Sequence, residues 1–304
     1  MTEDKKIESD FIMSIIRIPE SSEYYSVKDY ISATALKSIK QSPLHYKESE
    51  KKEATEAMIF GSAYHTFILE PAKFEERYFV MDDTPIYDVL IGEGFKSPRG
   101  TKQYKEWVEN QMHLAEGKVI IDDIMNRTLV GMRDRLLSNR FCASLLRNGK
   151  AEESIFCEIK TPQDKNIKIK LRPDYVKYEK NVIIDLKTTI SASKEEFPKG
   201  AANFDYHIQA ALYTDILNAL TGKQFSFFFI AQEKIKPFAF NIFECSPQFI
   251  SQGRYEWELL AMLWQECMES GKWPGYQVWC ENNFGINELK LPAWAIHDVN
   301  YYIH

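Results

Sequence analysis

From about residue 152 to 189 the apolar positions stop recurring every third or fourth residue and begin to alternate. ESIFCEIK, NIKIKLRPDYVKY and NVIIDLKTT read as short extended segments separated by the turn-like stretches TPQDKN and YEKN, the pattern of an antiparallel meander. On either side the period is helical. SATALKSIKQSPLHYKES combines a Ser/Thr start, apolar residues at helical spacing and a Ser-Pro punctuation, which predict a short helix and a turn. EATEAMIFGSAYHTFILEP continues helically to a stop before Pro71, and residues 119–147 predict a further helix. Between 80 and 117, where Gly92, Gly94, Pro98 and Gly100 crowd together, the chain reads as a long irregular surface excursion. After the extended segments come a helix over 204–220 stopped by Gly222, two strands in QFSFFFIAQE and PFAFNIFEC, and a long helix over 247–271.

This order predicts an α/β or α+β fold in which helices flank one central mixed sheet. The expected organisation is a disordered start at 1–15, a single domain over 16–272 and a C-terminal tail at 273–304 with no clear element. With 304 residues, 44% hydrophobic and 27% charged, the chain can bury a substantial core. No window approaches the roughly 18–20 continuous apolar residues of a membrane helix, and the start lacks the apolar core of a secretory signal, so a cytosolic protein is expected. The five cysteines, Cys142, Cys157, Cys245, Cys267 and Cys280, include no C-x-x-C pair, which argues for packed thiols and against zinc or an iron–sulfur cluster. A net charge of −6 argues weakly against nucleic acid, yet binding needs only a local basic patch. Lys165, Lys168, Lys170, Arg172, Lys177 and Lys180 make the central segments locally basic; such a run is ordinarily a solvated face, but beside a metal site it can track phosphates.

The chemistry concentrates in NVIIDLKT, residues 181–188, where an apolar strand ends in an acid and a base. Side chains alternate along a strand, so Asp185 and Lys187 project to one side while Leu186 enters the opposite core. The preceding segment ends its alternation at Arg172-Pro173-Asp174, and a short turn brings Asp174 and Asp185 onto adjacent strands. Two carboxylates brought together repel unless a positive charge lies between them. Oxygen ligands suit Mg²⁺ or Mn²⁺, and Lys187 would then stabilise charge on a phosphate or help deprotonate a water. The triplet by itself carries nothing, because Glu3–Lys5, Glu50–Lys52, Glu116–Lys118 and Glu158–Lys160 share it; only Asp185–Lys187 follows an apolar strand that itself follows a separate Pro-Asp. The competing reading is a surface ion pair at a strand end.

These residues resemble the PD-(D/E)XK nuclease signature: RPDYV followed by IIDLKTT. GSAYHTFILEP resembles the histidine motif of the RecB-like branch, AEESIF the acidic motif ahead of the Pro-Asp strand, and YHIQAALY the Q-x-x-x-Y motif of the following helix. With SATALKSIKQSPLHYK near the start, their order over residues 30–270 is similar to the RecE-type, exodeoxyribonuclease VIII-like, exonuclease domain common in phages and prophages. The resemblance implies that His65, Asp174, Asp185 and the Leu186 carbonyl hold the metal, and that Lys187 meets the scissile phosphate or the attacking water. It implies Glu153 as an outer ligand or water-positioner, with Glu152 as its rival, since alternation lets only one face the site. Gln209 and Tyr213, four apart on one helix face, would position DNA backbone or the lysine, and Arg172, His207 and Thr188 would contact DNA. Duller roles compete with these: a histidine in an apolar helix is ordinarily a hydrogen-bonded core residue, and Gln209 and Tyr213 could form a polar stripe. The implied activity is Mg²⁺-dependent digestion of double-stranded DNA ends, 5′ to 3′, with Mn²⁺ able to substitute and no iron–sulfur cluster. The implied partners are a RecT-type single-strand annealing protein and further copies in a ring-like tetramer, in the cytoplasm of a bacterial host. The rivals are a restriction-type endonuclease, an iron–sulfur nuclease of the same fold, and a DNA-binding or assembly protein with a dead nuclease fold.

Overall fold

The computed structural model describes residues 12–17, 24, 26–50, 53–161, 165–276 and 288–292. Strand β1 (Ile12–Arg17) is followed by helices α1 (Ala33–Gln41), α2 (Pro43–Lys47) and α3 (Glu56–Leu69), whose starts are capped by the side chains of Ser32, Ser42 and Thr55. Next come α4 (Phe74–Arg77), β2 (Tyr78–Met81), α5 (Thr84–Gly92), α6 (Lys102–Leu114), β3 (Val119–Asp122), α7 (Asp123–Leu137) and α8 (Arg140–Leu145). The central strands are β4 (Lys150–Ala151), β5 (Ile155–Lys160), β6 (Asn166–Leu171), β7 (Tyr175–Lys177) and β8 (Val182–Thr189). Helices α9 (Phe197–Asn203) and α10 (Tyr206–Thr221), strands β9 (Ser226–Glu233) and β10 (Phe240–Glu244), and helix α11 (Pro247–Ser270) complete the order.

Among the described residues the main sheet runs β10-β9-β8-β7-β4, with β8 and β9 parallel and the other neighbours antiparallel. A parallel pair requires a crossover, and α9 and α10 supply it. The sheet is thus mixed and flanked by helices, as the element order predicts. The alternation of β8 sorts its side chains between two cores. Ile183 packs with Ile208, Leu212 and Ile216 of α10 and with Trp257 and Trp264 of α11, whereas Ile184 and Leu186 pack with Tyr64 of α3 and with Leu129 and Met132 of α7. The aromatic run FSFFFI is sheet, with Phe227 and Phe229 buried in the α10 core.

The meander does not form as the alternation suggests. β5 pairs with β6 and with β1 in a separate sheet, and the chain leaves that sheet at Arg172-Pro173-Asp174 to enter the main one as β7. Pro173 has no N–H to offer a ladder, so pairing breaks at that point, and the break delivers Asp174 to the rim of the main sheet. β1 also replaces the disorder expected over 12–15; residues 1–11 lie outside the described ones. The excursion at 80–117 contains α5 and α6, and the helix expected from 119 begins as β3, parallel to β2. In the tail, Trp273 stacks on Tyr46 with 5.5 Å between ring centroids and Pro274 accepts a hydrogen bond from Leu44 N; residues 277–287 and 293–304 lie outside the described ones. Among the described residues no helix is long and apolar enough to cross a membrane. Of the cysteines, Cys142, Cys157, Cys245 and Cys267 are free thiols, and burial pushes Cys142 up to about 11; Cys280 lies outside the described residues.

Candidate metal centre

Three chain segments meet at the rim where β8 leaves the core. Helix α3 contributes His65, the end of β4 contributes Glu152, and the start of β7 contributes Asp174. One ligand atom from each lies within 4.8 Å of the others. The arrangement is built by backbone pairing. Ala151 sits opposite Tyr175, so the next residue, Glu152, comes opposite Asp174, and Glu152 N donates to the Asp174 carbonyl at 3.0 Å. Glu152 has φ +50°, a left-handed conformation that a glutamate adopts at a cost of about 1–2 kcal/mol. Strain of that kind is held only where the surroundings impose it, and here it accompanies a turn of the chain that puts the side chain in the cleft.

Leu186 stitches the other two together through its backbone. Its N–H donates to Asp174 Oδ2 at 2.8 Å, and its carbonyl accepts from His65 Nε2 at 2.8 Å. Donation from Nε2 leaves Nδ1 to face Asp174 Oδ2 at 3.5 Å, where it carries either a second proton or a lone pair opposed to a carboxylate. A cation between them resolves the second case. One strand residue further, Asp185 is 1% exposed; its Oδ2 accepts from Gln209 Nε2 at 2.5 Å. Lys187 Nζ lies 2.5 Å from Asp185 Oδ1, a close ion pair with the buried carboxylate.

The electrostatics follow from this crowding of acids. Burial pushes Glu152 up to about 8, with the Asp174 carboxylate adding to it. Burial, then Asp174, pushes Asp185 up to about 6 against the pull of Lys187. Burial pulls Lys187 down, but Asp185 and Asp174 outweigh it and hold the ammonium charged beyond its ordinary range. An acid beside a lysine ordinarily falls; this one rises because its own burial and a second carboxylate exceed what one ammonium offsets. The donor set therefore carries an excess of negative charge at the wall of the cleft, and one imidazole with carboxylates suits a hard or borderline divalent cation. Around it opens a cleft of about 890 Å³ in which Lys37, Lys73, Arg77, Lys170, Arg172 and Lys187 face the carboxylates of Glu70, Glu152 and Asp174. The chain is negative overall, yet this cleft is predominantly basic.

The sequence model of one family, the PDDEXK-like domain of unknown function (DUF3799), matches residues 32–283. The chain belongs to this PDDEXK-like family. No curated protein matches it. Among solved structures, a candidate exonuclease from Eubacterium rectale superposes with a TM-score of 0.56 at 15% identity, covering 91% of this chain and 96% of its own. At that identity the likeness shows the fold alone. The structure of SSO0001, at 16% identity over 76% of this chain and 85% of its own, has a TM-score of 0.29, too low to carry an argument.

Within this PDDEXK-like domain the structure sorts the expected site residues. His65, Asp174, Lys187, Gln209, Tyr213 and Arg172 all line the cleft. Tyr213 is 7% exposed, and burial raises its hydroxyl well above the ordinary value. Of the two neighbouring acids Glu152 enters the cleft, whereas Glu153 turns away to Lys150 at 2.8 Å and to the Tyr178 hydroxyl at 2.5 Å. The Leu186 carbonyl accepts a hydrogen bond from His65 Nε2. Asp185 lies beside the converging trio rather than in it. His207 is 9% exposed, pairs with Glu256 at 3.2 Å, and belongs to a cluster that Lys40 bridges through Asp205 and Glu256. Thr188, by strand alternation, lies on the face opposite Lys187. Lys37, given no role in the sequence reading, proves to line the cleft.

Proposed function

We propose that the protein is a divalent-metal-dependent exonuclease of the RecE type that digests double-stranded DNA ends. The observation that carries the reading is the convergence of His65, Glu152 and Asp174 beside a buried Asp185–Lys187 pair, inside a cleft lined by cations. Family membership and the description of the Eubacterium rectale neighbour as a candidate exonuclease support it. His65, Glu152 and Asp174 would hold the metal, with Asp185 adjoining. Held there, Mg²⁺, or Mn²⁺ in its place, would supply Lewis-acid polarisation of a phosphoryl oxygen and a lowered pKa for a water. Lys187, held charged by Asp185, offsets negative charge growing on the phosphate. Gln209 fixes the Asp185 carboxylate through its amide, and Tyr213 closes the apolar floor beneath. The cations at the rim receive the phosphate backbone. In the fuller form of the proposal, cleavage runs 5′ to 3′ and leaves a 3′ overhang for a RecT-type annealing partner. The protein then works as a ring-like tetramer in the cytoplasm of a bacterium that carries a phage or prophage.

End-labelled linear duplex and closed circular duplex, incubated with Mg²⁺ or with EDTA, test the reading. Loss of label from the linear substrate alone, only with Mg²⁺, and a fall of at least roughly a hundredfold in Asp185→Asn is expected. Cleavage of the circle would replace exonuclease by endonuclease, and equal cleavage in EDTA or by Asp185→Asn would remove the proposed site.

A further inference from the structure

Most cations of the cleft are already committed. Lys187 faces Asp185, Lys73 and Arg77 share Glu70, and Lys170 donates to the carbonyls of Tyr24 and Val27. Arg172 donates to Ser154 and stacks over the Tyr24 ring at 4.1 Å. Lys37 differs. It is half-buried on α1, faces the same cleft, and among the described residues has neither a carboxylate nor a carbonyl partner. Its ammonium lies 5.1 Å from the centroid of the Tyr206 ring, and Lys187 Nζ lies 4.9 Å from the same centroid. Two like charges therefore share one aromatic ring. Burial and the neighbouring Lys187 push Lys37 down to about 8, the mark of an ammonium placed where solvent does not fully compensate it. A face of Tyr206 offers each cation a modest attraction, but it cannot neutralise either. Lys187 has Asp185 as a counterion; the group that would satisfy Lys37 beside it is an anion entering the cleft.

We infer that Lys37 is a second phosphate-binding cation of the active site, which joins Lys187 on a phosphodiester of the bound strand across the ring of Tyr206. The inference rests on the proposed phosphodiesterase reading, and it adds a residue from the N-terminal helix that the nuclease signature does not include. α1 packs against α11 and α10 through Leu36 and Ile39, so Lys37 is presented from a fixed backbone.

Lys37→Met keeps the aliphatic stem and removes the charge; Lys37→Arg keeps the charge. Binding of a linear DNA duplex is measured with Ca²⁺ in place of Mg²⁺ across a salt series, with cleavage in Mg²⁺ and Tm recorded alongside. Lys37→Met is expected to weaken binding roughly ten- to a hundredfold and to reduce the slope of log K against log salt by about 0.7–0.9, at unchanged Tm. Lys37→Arg is expected to restore both. An unchanged Kd and slope in Lys37→Met overturns the inference, as does a weakened Kd with an unchanged slope, which reports packing rather than a phosphate contact. Wild-type protein that binds with the expected slope change but cleaves nothing removes the nuclease reading and leaves the Lys37 contact standing. Wild-type protein that does not bind DNA overturns both.

Discussion

The left-handed turn at Glu152 decides which of two adjacent acids meets His65 and Asp174, and it is invisible in AEESIF. Alternation says only that Glu152 and Glu153 face opposite ways. A short β4 and a φ of +50° then choose between them, and no residue type signals a glutamate in that conformation. His65, Asp174 and Lys187 were legible because an apolar period carries each to a place where a charged group has no structural reason to be. Lys37 was not, since a single lysine on a short amphipathic helix reads as a solvated face. Glu152 also gives a prediction. Its pKa rises from 4.5 to about 8 on folding, so between those values the folded chain binds more protons than the unfolded one. Stability of the metal-free protein is then highest below about 4.5 and falls as pH rises toward 8. In EDTA, Tm is expected to drop by roughly 2–6 °C between pH 5.5 and 8.5, and Glu152→Gln to flatten the profile. A wild-type profile as flat as that of Glu152→Gln would mean that the carboxylate is solvated. Asp185→Asn breaks a buried pair and leaves the Lys187 ammonium without its carboxylate, so metal-free Tm should fall while cleavage disappears. A Tm loss with cleavage preserved would place Asp185 in the scaffold instead.

Helix α10 carries Gln209 to Asp185, and its position depends on how closely α11 approaches. Gly253 makes that approach possible. A Cβ there would stand 2.0 Å from the His207 carbonyl oxygen, 2.5 Å from its carbon and 2.9 Å from Ala211 Cβ, and backbone atoms cannot step aside as a flexible side chain can. Gly253→Ala should therefore cost about 3 kcal/mol, a Tm loss of roughly 6 °C or more, and cleavage should fall with it because Gln209 moves off Asp185. Gly200→Ala in α9, where a Cβ meets nothing within 4 Å, is the control and should be neutral or slightly stabilising. Equal behaviour of the two variants would disprove the close contact. At this scale the reading of the sequence succeeded where periodicity was long or flanked by clear stops, as in β8, α10 and α11. It failed where the local signal was ambiguous. VIID at 119–122 is too short an apolar run to distinguish strand from helix, and it became β3 through pairing with a distant β2. The glycines and prolines of 80–117 read as loop, yet Pro85 falls in the first turn of α5, where its missing N–H costs nothing. The meander failed for a physical reason already present in the sequence: Pro173 interrupts the ladder, and that interruption is what frees Asp174 for the rim.

To bind a polyanion, as proposed, a molecule of net charge −6 must concentrate its positive charge. The cleft does so, with six Lys and Arg side chains against three carboxylates, while the remaining surface carries the acidic excess. Long-range attraction is then weak and short-range attraction strong, because charges more than roughly 8–10 Å apart are largely screened at physiological salt. Of the six cations, Lys170 is held by main-chain carbonyls and Arg77 by Glu70; on the proposed reading Lys37, Lys73, Arg172 and Lys187 replace counterions on the phosphates. Four such contacts correspond to a slope of log K against log salt of roughly −3 to −4. Lys73→Met should lower the magnitude by about 0.9, since Arg77 still neutralises Glu70. Lys102, whose side chain is 87% exposed on α6 and lines no part of the cleft, supplies the comparison: Lys102→Met should leave the slope unchanged. If both substitutions changed it equally, binding would depend on the diffuse field of the whole surface, and an acidic protein would have no local means of holding DNA against its own charge.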